Sequence, residues 1–179
     1  MKNSTFSDLI KAFEPYFNNA HFTFQQWFDM WIESSSVNVL EVEWNPADTS
    51  STAGLKIKQS NYSPLLGELR HHMISVAFIQ ADGAIFTQQY LVKNEAETQL
   101  TFNNTQSYKA ILLDCFHQTY AKCRIDASSL NFLKGSINTI ANGEIRLGVW
   151  LQVQEAVRDQ RFRVEEYRDM LVACIAGES

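Results

Sequence analysis

The spacing of hydrophobic residues changes period twice along the chain, and each change marks a predicted change in secondary structure. Between residues 1 and 35, apolar side chains recur at helical spacing, which predicts two amphipathic helices. Pro15 is expected to end or bend the first helix, because proline has no backbone N–H to donate. Thr23 and Gln26 have the spacing of a capping box, so the second helix is predicted to start at Thr23.

Between residues 36 and 120 apolar and polar positions alternate, as they do in strands with one buried face. Two alternating runs, 72–79 and 85–92, flank Asp82-Gly83, whose tolerance of positive φ angles predicts a tight hairpin turn. Further short strands are predicted near residues 37–42, 55–59, 100–102 and 108–113. Short strands separated by turn-rich loops, such as the loop at 45–54, are typical of a small β-sandwich.

From residue 121 to residue 179 the helical period returns. Asp126 or Ser128 is expected to cap a helix whose apolar stripe runs to Ile140, and Asn142-Gly143 is expected to stop it. Two more helices are predicted around residues 145–157 and 164–174. Three consecutive helices indicate the start of an α-solenoid-like array, which needs neighbours to bury its outer face. Since little sequence follows, we expect a longer protein or a partner to cover that face.

The predicted fold is therefore α+β and multi-part, with a small β-sandwich between N-terminal helices and a C-terminal helical segment. Lys and Arg number 15 and Asp and Glu number 20, for a net charge of −5. Without a dense basic run, a nucleic-acid-binding surface is not expected. No apolar run approaches the roughly 18 residues that would cross a bilayer. The first residues also lack the apolar core of a secretory signal, so we expect a cytoplasmic protein without a membrane segment.

The histidines do not form the motif of a zinc peptidase, which places two histidines one helical turn apart with a glutamate between them. None of the four has this spacing: His21, His71, His72 and His117. We interpret His71-His72 as a surface pair, because neighbouring residues of a strand point to opposite faces. The sequence also contains no glycine-rich phosphate loop. We therefore predict no catalytic residue, no metal ligand and no cofactor in this chain.

Cys115, His117 and Cys123 are the remaining candidates for chemistry. Cys115 and His117 would lie on one side of a continuing strand, but a cysteine protease needs a third, orienting group. A zinc site would need more ligands than this group supplies. We favour buried, reduced thiols for these cysteines and for Cys174. A small hydrolase that uses Cys115 and His117 is the alternative.

Four aromatic residues fall on one face of the second predicted helix: Phe24, Trp27, Phe28 and Trp31. Such an aromatic face could bind a ligand. Aromatic residues at helical spacing more often belong to a core or to a surface that docks on another domain. We therefore select these four residues as candidates for packing between domains.

Two segments resemble parts of the zinc aminopeptidases of the aminopeptidase N family. The first, WFDMWI at 27–32 followed by SVNVL at 36–40, is similar to the end of the family's thermolysin-like catalytic domain, where a Trp-rich helix leads through a turn into a strand. The family's usual glycine in that turn is Ser36 here. The second, ILLD at 111–114 with TYAKCRID at 119–126, resembles the family's junction between β-sandwich and C-terminal helical domain. The pattern continues at Ser129, Arg146, Trp150, 157–159 and 166–167.

This resemblance implies that residues 1–35 are the helical tail of a catalytic domain, 36–120 a β-sandwich domain and 121–179 the start of a C-terminal helical domain. Members of the family remove N-terminal residues from peptides with a zinc-activated water, and their zinc ligands and general base lie upstream of the matching segment. The chain itself would be a non-catalytic spacer and active-site cover. Its partner would be the catalytic domain of the same polypeptide, and peptides would be substrates of the parent enzyme.

The four aromatic residues of the second helix would then pack against that catalytic domain. The alternative is a free-standing β-sandwich module with helical flanks that binds a ligand or acts as an adaptor.

Overall fold

The computed structural model describes residues 5–45, 55–101 and 106–175 and divides the chain into two compact units, Met1–Ser35 and Ser36–Ser179. The described part contains five α-helices and seven strands in two sheets, which confirms a mixed α+β fold. Most of the predicted loop at 45–54, together with Phe102 of a predicted strand, lies outside the described residues.

The first unit consists of short helical segments. Helix α1 spans Phe6–Phe13 and is followed by a 3₁₀ turn over Glu14–Tyr16. Helix α2 spans Phe24–Phe28 and continues as a π-helical turn over Asp29–Glu33. Because α1 stops two residues before Pro15, the predicted break at this proline is confirmed.

Both helices of this unit begin with a capping box. The backbone N–H of Thr23 donates to Oε1 of Gln26 at 2.8 Å, and the Gln26 N–H donates to Oγ1 of Thr23 at 3.2 Å. Thr5 and Asp8 make the equivalent pair of bonds at the start of α1. These bonds satisfy backbone N–H groups that have no partner within the helix, which explains where both helices begin.

The second unit begins with seven strands in two sheets. Sheet A has the strand order β5-β2-β1-β7 and sheet B has the order β4-β3-β6. All neighbouring strands are antiparallel except β1 and β7, which are parallel. The strands are β1 Asn38–Glu43, β2 Lys56–Asn61, β3 His72–Ile79, β4 Ile85–Val92, β5 Glu97–Gln99, β6 Ala110–Leu112 and β7 Ala121–Arg124.

The predicted hairpin is present with the predicted ends. Strands β3 and β4 pair in register from His72 opposite Val92 to Ile79 opposite Ile85. Gly83 in the connecting turn has a φ of +85°, a conformation that glycine adopts without strain. The Asp-Gly signal therefore identified the turn that joins the two predicted strands.

Sheet B contributes side chains to two separate hydrophobic clusters. Ile74, Val76 and Phe78 of β3 belong to a cluster that includes side chains of sheet A. Ala77 and Ile79 belong to a second cluster, formed with the C-terminal helices. The period-two alternation of β3 therefore separates two buried faces, which explains why seven of its eight residues are buried.

Three helices complete the second unit: α3 Ala127–Leu133, α4 Gly143–Arg158 and α5 Val164–Cys174. Of the two predicted caps, Asp126 is the one that caps α3, with its Oδ1 accepting the N–H groups of Ser128 and Ser129 at 3.0 Å. Strand β7 lies within the stretch that the sequence assigns to the helical domain, and its pairing with β1 was not predicted.

The predicted continuation of α3 to Ile140 is wrong. The helix ends at Leu133, and a separate 3₁₀ turn follows at Ile137–Thr139. Asn142 does not stop a helix either. Its Oδ1 accepts the N–H groups of the second and third residues of α4, so it is the N-cap of the next helix.

Candidate functional site

The aromatic face predicted on the second helix, Phe24, Trp27, Phe28 and Trp31, is only half-buried. The rings of Phe24 and Trp27 stack with centroids 5.8 Å apart, and Phe17 meets Phe24 edge-on at 5.5 Å. Such contacts between aromatic rings add to the benefit of their burial. Part of the aromatic face therefore packs within its own unit, against rings from α1 and from the segment before α2.

The first unit also carries an apolar groove of about 540 Å³. Its walls are almost entirely hydrophobic and include two residues of the aromatic face. The lining residues are Phe6, Leu9, Ile10, Phe13, Tyr16, Phe17, Phe24, Trp27 and Ile32. Phe6, Leu9 and Phe13 are each about half exposed, and Met30 is the one buried side chain among residues 5–35. Exposed apolar surfaces of this kind are common where proteins bind other proteins, membranes or ligands.

The second unit has a polar cleft of about 570 Å³, which the sequence analysis missed. One face of α4, the start of β7 and the turn before it form its walls. The lining residues are Val37, Tyr62, Asp114, His117, Thr119, Tyr120, Ala121, Lys122, Cys123, Leu151, Gln152, Glu155 and Arg158. Positions 151, 155 and 158 have helical spacing, so the sequence could have placed them on one face of a helix. Because one is apolar, one acidic and one basic, they do not form a recognisable pattern.

Ion pairs join the two sides of the polar cleft. Nζ of Lys122 on β7 lies 2.9 Å from Glu155 and 2.5 Å from Asp159 at the end of α4. Arg124 also reaches Asp159, at 3.2 Å. Burial alone would raise the pKa of Asp159, but Lys122 and Arg124 hold the pKa below its usual value. This network joins the end of α4 to β7, and Lys122 and Glu155 are the two members of it that line the cleft.

The turn at 114–119 has an unusual backbone. Asp114 and His117 have φ angles of +46° and +52°, which are uncommon outside glycine although Asp and His tolerate them better than most residues. The Asp114 carboxylate accepts the N–H groups of Gln118 at 2.9 Å and Thr119 at 3.2 Å. These bonds hold the turn in the shape that forms one end of the polar cleft.

Beside this turn, His72 is buried, so the interpretation of His71-His72 as a surface pair is wrong. His72 is 1% exposed, with Nε2 3.0 Å from Oδ1 of Asn38 and Nδ1 2.8 Å from Oγ1 of Thr119. The Asn38 oxygen can only accept, so Nε2 carries the proton and Nδ1 accepts from the threonine hydroxyl. Burial, with smaller effects of Arg70 and His71, lowers the pKa of His72 to about 4.

The suggested pair Cys115 and His117 lacks the features of a nucleophile and its base. Cys115 is fully buried, and burial raises the pKa of its thiol to about 12, whereas His117 is exposed. Cys123 and Cys174 are also buried thiols. Within residues 5–45, 55–101 and 106–175, no three His, Cys, Asp or Glu side chains are grouped so that they could hold a metal ion.

No protein-family model matches the chain, and no curated protein matches it. Among the described helices, none is both long and apolar enough to span a bilayer. The assignment of function therefore depends on two surfaces, the apolar groove of the first unit and the polar cleft of the second.

Proposed function

We propose that the chain is a non-catalytic segment of a zinc aminopeptidase of the aminopeptidase N family, in which it acts as a spacer and covers the active site. In this proposal the two sheets form the family's small β-sandwich, and α3–α5 begin its solenoid-like helical domain. The catalytic domain of the same polypeptide is the partner, and peptides are the substrates of the parent enzyme.

The backbone at Ser36 is the observation that carries this proposal. Members of the family usually have glycine at this turn, between the Trp-rich helix and the first strand. Ser36 has a φ of +79°, in the region that glycine occupies without strain and that other residues rarely adopt. The residue that departs from the family's pattern at this turn thus has the conformation that would explain the family's preference for glycine.

The second segment of the resemblance supports the proposal through its contacts. Lys122 and Arg124 belong to the segment 119–126, and both form ion pairs with Asp159, which belongs to the later matching segment 157–159. Asp126 caps α3, while Ser129 of that helix accepts the backbone N–H of Ile111 at 2.9 Å. Residues that were selected for similarity alone therefore bind one another across the junction of strands and helices.

The apolar groove supports the proposed role as a segment that packs against another domain. Burying a large hydrophobic side chain contributes about 1.5–3 kcal/mol, so covering the half-exposed Phe6, Leu9 and Phe13 would contribute about 1 kcal/mol each. Helix α4 and the end of α5 also expose hydrophobic side chains, including Leu147, Val172 and Ile175. Both surfaces suit a protein in which further domains cover them.

Sequencing the transcript upstream of Met1 tests the family assignment. A His-Glu-x-x-His helix in the same reading frame is the expected result. An in-frame stop codon immediately upstream, or an unrelated domain there, would overturn the proposal. A second test assays the purified chain for bound zinc and for cleavage of fluorogenic aminoacyl substrates, and we expect neither. Stoichiometric zinc together with cleavage would contradict the assignment of the chain as non-catalytic.

A free-standing binding or adaptor module remains the second candidate, and the polar cleft favours it, because its ion-paired walls lie entirely within the second unit. The same transcript distinguishes the two candidates.

A further inference from the structure

The polar cleft contains a buried hydrogen-bond acceptor that has no partner among the described residues. Gln152 is 6% exposed, and its Nε2 donates to the carbonyl oxygen of Leu113 at 2.6 Å. That bond fixes the orientation of the amide, and Oε1 is left buried without a hydrogen bond. A buried polar atom without a partner costs about 1–3 kcal/mol, so this oxygen is a place where a ligand donor would gain affinity.

The charges of the cleft indicate that the donor is neutral. Lys122 is paired with Glu155 and Asp159, and Arg158 binds Glu155 at 2.6 Å. A charged ligand would have to compete with these pairs, and the two signs are balanced around the cleft. A hydroxyl or an amide N–H can bind the oxygen of Gln152 without disturbing them.

Exposed rings at the mouth of the cleft favour a ligand that also has side chains. Tyr62 and Tyr120 are 55% and 71% exposed, and Leu151 of α4 adds aliphatic surface to the same lining. Nζ of Lys122 lies 4.8 Å from the centre of the Tyr62 ring, which holds that ring at the wall. Tyrosine rings combine apolar contact area with a polar tip and are common at sites that bind peptides and proteins.

Strand β7 adds backbone groups to this wall. It lies at the edge of sheet A and pairs with β1 alone among the described strands, and three of its residues line the cleft. An edge strand presents N–H and C=O groups that an extended peptide can bind.

We propose that the polar cleft binds an extended peptide segment, with a backbone N–H of the peptide donating to Oε1 of Gln152 and a side chain resting on Tyr62 and Tyr120. A peptide supplies neutral N–H donors at regular spacing together with side chains, which matches the acceptor, the balanced charge and the exposed rings. The inference goes beyond the family assignment, because it concerns only residues of the second unit and holds whatever lies upstream of the chain.

The test is an NMR titration of the full chain with a neutral probe, the tripeptide Ala-Phe-Ala acetylated at its N-terminus and methyl-amidated at its C-terminus. We expect saturable shifts of the Gln152 side-chain amide and of the backbone amides of residues 121–123. Gln152→Met should weaken binding about tenfold, the equivalent of one hydrogen bond to a buried acceptor. Gln154→Met, the same change at an exposed position of α4, should leave affinity unchanged. The N-methylated form of the tripeptide, which has no backbone N–H, should not bind.

Three results would overturn the inference: no shifts at these positions at the highest soluble concentration of the tripeptide, equal binding to the Gln152→Met and unchanged chains, or equal binding of the N-methylated tripeptide. If Gln152→Met does not fold, Tyr120→Ser takes its place, since Tyr120 is largely exposed and its loss should weaken binding without affecting stability. Failure here leaves the family assignment intact, because that assignment is decided by the transcript.

Discussion

Protonation of His72 should make the stability of the second unit depend on pH. The imidazole is buried between Asn38 and Thr119, and both neighbours suit its neutral form. Its pKa falls from the usual 6.5 to about 4 in the folded chain. Between these values the unfolded state binds a proton that the folded state does not. The contribution of His72 to the free energy of unfolding is therefore fully present above about pH 6.5 and decreases as the pH falls towards 4.

The magnitude follows from the size of this pKa difference. One pKa unit corresponds to about 1.4 kcal/mol, so the full loss for His72 is about 3 kcal/mol, of which about 2 kcal/mol falls between pH 7 and pH 5. Urea unfolding at a series of pH values measures this loss. His72→Gln cannot titrate there and should show a correspondingly weaker dependence. His117→Asn, at an exposed histidine, is the matched control for the loss of a histidine.

An equal pH dependence in His72→Gln and the unchanged chain would refute the reasoning. If that variant does not fold, the ring C–H signals of His72 followed by NMR give the answer directly, because a midpoint near pH 6.5 would contradict the lowered pKa.

Two further substitutions test the packing of the second unit by urea unfolding. Gly83→Ala should destabilise it by at least about 2 kcal/mol, because φ is +85° and the new Cβ would clash with the backbone carbonyl of Thr139. Gly135→Ala has open space around its Cβ and should be tolerated. Equal effects of the two glycine variants would contradict this. Asp159→Asn should lower the free energy of unfolding by about 1–2 kcal/mol, because it leaves a partly buried cation poorly paired. Asp169→Asn, in an exposed ion pair, should have almost no effect. If Asp159→Asn leaves the free energy of unfolding unchanged, the network does not stabilise the fold.

The hairpin of β3 and β4 was predictable because local signals agreed. Alternation over eight residues on each side and an Asp-Gly turn all specify the same register. Strand β7 was not predictable in this way, since it has four residues and its partner β1 is distant in sequence. Whether these four residues form a strand depends on their pairing with β1, and no local sequence pattern encodes that pairing.

The errors at α3 and at His72 have different physical causes. Ile137 and Ile140 continue the apolar spacing of α3, but they are buried from a 3₁₀ turn and the coil after it, so periodicity alone overestimated the helix. Asn142-Gly143 is compatible with either end of a helix, and only the bond of the Asn142 side chain to the backbone of α4 decides between them. The burial of His72 depends on Asn38 and Thr119, which approach it from other segments.

The parallel pairing of β1 with β7 has a consequence for how the protein is made. Leu40 finds its partner Cys123 only 83 positions later, so during translation β1 emerges long before the strand that covers its edge. Until then the nascent chain presents an open template for pairing with other chains. Expression of a fragment that stops at residue 120 should therefore yield aggregates, and a useful cut between strands and helices has to fall after Arg124.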